Sequence, residues 1–184
     1  MVLDAKTIFV RELDPDKFVG EDKRLALGWH TIEEVFRPSR DIVNSFFGID
    51  LQDVIGPAGV PFFFHNDTIR FMISEVTYRS GKSFPLWFQE QGMLTEFILY
   101  SGYVQYKFGK LDKFIHPANR LGSIVNVCHS QVGVFDQLFD KMKDPETLTV
   151  SVHRNAWNQL TPNQRNQYQN FLIDTGNYTA YNLK

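Results

Sequence analysis

Residues 95–108 read TEFILYSGYVQYKF, and the fold class turns on whether this stretch is two strands or one helix. As a hairpin, TEFILY and YVQYKF flank Ser101-Gly102, a two-residue loop with glycine where a positive φ is needed. The register then pairs Tyr100 with Tyr103, Leu99 with Val104, Ile98 with Gln105 and Phe97 with Tyr106. One face carries Phe97, Leu99, Val104, Tyr106 and Phe108. On the other side Glu96 stands opposite Lys107, a favourable cross-strand charge pair. A helical reading of residues 92–108 competes, because Met93, Leu94, Phe97 and Ile98 also suit a helix. The Ser-Gly break and the charge pairing favour the hairpin.

Upstream, PFFFH (61–65) and TIRFMISEV (68–76) flank Asn66-Asp67, a pair that tolerates turn angles, so a second hairpin is predicted. It would set Phe64 against Ile69, Phe62 against Phe71 and Val60 against Ile73. The opposite face pairs Phe63 with Arg70 as an exposed cation–π contact. Thirteen of the 27 aromatic residues fall between Phe62 and Phe108, so these hairpins would supply most of the core. Residues 80–92 (SGKSFPLWFQEQG) read as the connector between them.

Further out, TIFVREL (7–13) has strand character and stops at Asp14-Pro15. Helical spacing runs through 31–47 but is interrupted. Thr31 with Glu34 forms a capping box, Pro38 ends or kinks the first piece, and Ser39 caps a second that carries Ile42, Val43, Phe46 and Phe47 to Gly48. On the C-terminal side SIVNVC (123–128) is a short strand or the first turn of a helix. QVGVFDQLFDKM (131–142) is amphipathic, with Val132, Phe135, Leu138, Phe139 and Met142 on one stripe, and Asp144-Pro145 ends it. TLTVSVH (147–153) alternates like a half-buried strand. A last helix opens on Thr161 as N-cap with Pro162 in its first turn and buries Tyr168, Phe171 and Leu172 before Gly176.

Composition bounds the function classes. The formal net charge is −2 and the pI about 6.2, so the electrostatic footprint of phosphate-backbone binding is missing and no nucleic-acid partner is expected. Cys128 is the only cysteine, which excludes an intrachain disulfide framework and a Cys-rich zinc site. The N-terminus lacks a basic start followed by an apolar block, and no apolar run approaches the roughly 20 residues of a membrane span. The expectation is a cytoplasmic protein, or part of a particle assembled inside the cell, with no membrane partner. No linker or repeat divides the chain, so 1–184 is read as a single globular domain.

Four constellations invite a functional test. Cys128-His129 are sequence neighbours whose side chains diverge, and Cys128 lies among Ile124, Val125 and Val127, which favours a buried, inert thiol. The histidines at 30, 65, 116, 129 and 153 lack ligand spacing, so no metal is expected. Ser80-Gly81-Lys82-Ser83 lacks the first glycine of a phosphate-binding loop, position 76 being Val. Trp157–Phe171 locally resembles one helix of an HMG box, without that family's basic composition or its two preceding helices. It is read as a well-capped helix with Trp157 packed near its start.

The fold class expected is therefore α+β: a mainly antiparallel sheet with two central β-hairpins packed against three to four helices. The function expected is that of a non-catalytic structural or assembly subunit of a larger protein complex, such as a virion or phage tail component. Its partners would be other protein subunits, including further copies of itself, with no cofactor. Phe63, Arg70, Tyr100 and Tyr103 are the protein-contact candidates. The alternative is a small enzyme or ligand-binding domain with a pocket between sheet and helices, drawing on His65, Asp67, Glu75 and His116.

Overall fold

In the computed structural model TEFILYSGYVQYKF is one continuous helix, and the fold is mostly helical rather than a mainly antiparallel sheet with two hairpins. Residues 7–12, 25–26, 30–51, 54–55, 64–113, 115–116 and 123–176 are described. In chain order the elements are β1 (Thr7–Phe9), β2 (Leu25–Ala26), β3 (His30–Thr31), α1 (Arg37–Phe47), β4 (Val54–Ile55), α2 (Asn66–Ser80), α3 (Phe84–Glu90) and α4 (Glu96–Phe108). There follow β5 (Ile115–His116), β6 (Ser123–Val127), α5 (Phe135–Lys143), β7 (Thr147–Val152), α6 (Arg154–Trp157) and α7 (Pro162–Asp174). These form two compact units, one within residues 16–120 and one built from 3–15 and 121–184.

The first unit is helical because its central segment has no polar face to give to water. Ile98 through Val104, seven consecutive residues, are all buried on α4. A two-stranded hairpin could not cover both faces of such a run, whereas a helix surrounded by other helices can. Glu96 and Lys107 are not cross-strand partners. They lie in the first and last turns of α4, roughly 16 Å apart along the axis, where each complements the helix dipole. Gly109 ends the helix at φ 78°.

Ser101-Gly102, read as a turn, is a notch for helix packing. A Cβ on Gly102 would lie 2.0 Å from Val43 Cγ1 of α1, so the missing side chain lets α1 approach α4. Ser39, read as a cap, is instead fully buried within α1, and its Oγ accepts the Thr95 N–H at 2.9 Å. Thr31, expected to cap a helix, belongs to β3, and the 3₁₀ turn Glu34–Phe36 has Glu33 at its N-cap position with no side-chain cap. Pro38 opens α1 instead of ending a helix, since a proline in the first turn lacks only a donor that has no intrahelical partner.

The other predicted hairpin is likewise replaced. His65 is the N-cap of α2, its Nδ1 accepting the Thr68 N–H, and Asn66-Asp67 are the first two helical residues. Thr68, Met72 and Val76 form the buried stripe. The 80–92 connector contains α3, which opens at Ser83 with Pro85 in its first turn and buries Trp87. Among the described residues of this unit, strand pairing consists of two short ladders, β2 parallel to β5 and β3 antiparallel to β4.

The second unit holds a three-stranded mixed sheet in the order β1-β7-β6. The strand expected at 7–13 is seen at Thr7–Phe9, antiparallel to β7 with Ile8 opposite Val150. β6 runs parallel to β7, Val125 opposite Val150 and Val127 opposite Val152, and a parallel pair needs a crossover, which α5 supplies. β7 was read as half-buried, but all six of its residues are buried, as a central strand requires. Its valines pack with Phe135, Phe139 and Met142 of α5 and Tyr168, Phe171 and Leu172 of α7. The expected N-cap of α7 forms, Thr161 Oγ1 accepting the Gln164 N–H, and Gln164 completes a capping box, its Oε1 accepting the Thr161 N–H. Trp157 packs edge-on against Tyr168 with ring centroids 6.1 Å apart.

Candidate functional site

With Thr68, Met72 and Val76 turned inward, the helical period sends Phe71, Ser74 and Tyr78 to the opposite side of α2. Phe71 is 66% exposed and Tyr78 87% exposed. These two large aromatic side chains, seven residues apart and hence along one helix face, are the most exposed large hydrophobic residues among those described in the first unit. They border a groove of about 560 Å³ whose lining also includes Thr68, Ser74, Glu75, Tyr103, Lys107 and Phe108.

Two of the lining residues, Glu75 and Lys107, belong to a polar cluster that continues beyond the groove. Arg79 Nε donates to Glu75 Oε1 at 2.8 Å, one helical turn away, and Arg79 also donates to the Tyr106 hydroxyl. The guanidinium lies 4.5 Å from the Tyr106 ring centroid and 5.8 Å from that of Phe47, so cation–π attraction adds to the ion pair. Lys107 Nζ stands 4.0 Å from the second Glu75 oxygen. The hydrogen bond from Arg79 holds the Glu75 carboxyl below the usual carboxylate range, with the Arg79 and Lys107 charges assisting and burial opposing. The cluster ties α2 to α4 and leaves its charges satisfied within the unit.

The residues singled out from sequence are placed differently from expectation. Tyr100 and Tyr103 are not a hairpin-tip pair; they are 1% and 2% exposed, within the core of α4. The Tyr100 hydroxyl accepts the His65 N–H at 3.1 Å and so fixes the start of α2. Burial raises the phenol pKa of both. Arg70 is exposed on α2, with Nη1 3.9 Å from Asp67 Oδ1; Phe63 lies outside the described residues, and with it the expected pairing. His65, Asp67 and Glu75 are strung along α2, the first and last roughly 15 Å apart along its axis, and do not converge. The side chain of His116 lies outside the described residues.

Cys128 is half-buried at the end of β6, not enclosed as expected. Its thiol donates to Gln131 Oε1 at 3.2 Å and lies 3.0 Å from Ser130 Oγ. Among the described residues no three His, Cys, Asp or Glu side chains group as a metal site, and no helix is long and apolar enough to cross a membrane.

Phe71 and Tyr78 were missed as surface residues because the hairpin reading put Phe71 on the apolar face. The signal that finds them is the spacing of Thr68, Met72 and Val76, which defines a stripe that excludes both aromatics. Comparison of the chain with protein-family models, with known proteins and with solved structures gives no match.

Proposed function

We propose that this protein is a non-catalytic subunit that contacts another protein through the exposed face of α2. The observation that carries the reading is the pair Phe71 and Tyr78 beside the α2–α4 groove. Aromatic side chains are enriched where protein surfaces meet, because each covers a large area at the loss of few rotamers. The polar cluster of Glu75, Arg79 and Tyr106 supports it: it stiffens the helix bearing the aromatics, and a surface already in its bound shape loses less entropy on binding. An assembly component of a larger particle is one setting in which such a subunit would serve.

Replacing Tyr78 with a photoreactive benzoylphenylalanine, in the cells the protein comes from, tests the reading directly. A cross-link from position 78 to another polypeptide, with none from Asn163, an exposed residue of α7, is the expected result. Equal labelling from both positions, or none from 78, would sink it.

A further inference from the structure

The exposed face of α2 is self-complementary, and we infer that its occupant is a second copy of this chain, seated by α2 packing antiparallel on α2 about a two-fold axis. The inference rests on the protein-contact reading and names the partner. Four positions carry it. Phe71 and Tyr78 are placed symmetrically about the point between Ser74 and Glu75, and so are Asp67 and Lys82. In an isologous pair, residue i meets j while j meets i. An axis through that one point therefore sets Phe71 against the partner's Tyr78 twice, and brings Asp67 twice to the C-terminal end of the partner's α2, just past which Lys82 lies.

The rest of the face agrees with this axis. Ser74, at the centre, is small and folds its hydroxyl back to the Arg70 carbonyl at 3.0 Å, so the helices can approach there. Antiparallel helices set their dipoles head to tail and bring Asp67, in the first turn, to the partner's C-terminal end, where Lys82 follows the Gly81 cap and offers the opposite charge. The like-charge meeting of Arg70 with the partner's Arg79 is eased because the Arg79 guanidinium is already held by Glu75 and Tyr106. Asp67 and Lys82 have weak or exposed partners of their own, Arg70 at 3.9 Å and Glu90 at 2.6 Å. Their role across the axis is to fix direction and register more than to supply affinity.

Sedimentation velocity on the full chain, from about 1 μM to about 1 mM to span the affinities of small interfaces, tests this. A dimer is expected. Phe71→Ser with Tyr78→Ser should abolish it, while circular dichroism stays that of the wild type because both side chains face water. Asp67→Lys alone and Lys82→Asp alone should each weaken it about tenfold, and the two combined should restore it, since the swap exchanges the charges without changing the pairing. A dimer indifferent to the aromatic substitutions, or one the double reversal fails to restore, would overturn the antiparallel α2 pairing. A monomer throughout would overturn self-association. Cross-linking from position 78 separates the two readings: a foreign polypeptide captured by a monomeric chain keeps the contact face and removes this partner, and no capture at all removes both.

Discussion

Two adjacent residues at the centre of α4 have opposite relations to their surroundings. Ser101 Oγ is buried with no hydrogen-bond partner among the described residues. Gly102 has no room for a methyl group, because its Cβ would overlap Val43 Cγ1, itself on a fully buried side chain. Ser101→Ala removes an unpaired hydroxyl and installs the best helix former, so it should be neutral or stabilise by about 1 kcal/mol. Gly102→Ala also raises helix propensity, by roughly 1 kcal/mol at most. The forced separation of α1 from α4 works against this and is larger, so a net loss of about 1–3 kcal/mol is expected. Urea denaturation of both variants checks the pair of signs. In a hairpin turn neither residue would meet Val43, so equal effects at the two positions would count against the helix.

At the scale of elements, the link between α2 and α4 depends on ionisation of Glu75. Its carboxyl pKa is depressed in the folded protein, chiefly by the Arg79 hydrogen bond. A depressed carboxylate contributes stability above its unfolded value, about 4.3, and loses it as pH falls through the lower folded value. Glu75→Gln should therefore cost roughly 0.5–1 kcal/mol at neutral pH, the size of a partly screened i,i+4 pair. The wild type and the variant should converge in acid, once the pH has fallen below the depressed folded value of Glu75. Thermal melts of both proteins across this window read the difference, and a gap that persists in acid would assign the effect to shape and not charge. The same elements show what the sequence made legible. α7 and α5 were readable because their signals are local: Thr161 and Pro162 open one, and a single apolar stripe defines the other. α4 was not, because burial on all sides erases the period that distinguishes helix from strand. The Ser-Gly pair, locally a turn signal, answers to a contact with Val43 some 60 positions away in the chain. α2 was misread at its start because its N-cap is a histidine, outside the usual capping set.

For the whole molecule, chain order has a consequence that neither composition nor motif discloses. The second unit takes its edge strand from the N-terminus and the rest of its sheet from beyond residue 120, so the first unit is an insertion within it. The sequence read as one domain because no linker marks either crossing. What defines the units is pairing at long range: Thr7 with Ser151, Ile8 with Val150, and the Val10 N–H donating to the Leu148 carbonyl at 3.0 Å. Each of these closes a loop of well over 100 residues, a separation at which local patterns carry no information. Deleting residues 1–12 would strip one side of β7, leaving its backbone donors and acceptors on that side without partners along a strand that is otherwise wholly buried. An exposed apolar edge of this kind recruits other strands. The truncated chain is therefore expected to lose amide protection across 147–152 and to aggregate on warming, while protection across 96–108 in the first unit is retained. Hydrogen exchange read by mass spectrometry follows both segments in one experiment. Loss of protection at 96–108 equal to that at 147–152 would mean that the insertion does not hold its own core. Unchanged protection at 147–152 would mean that β1 contributes nothing to the sheet it edges.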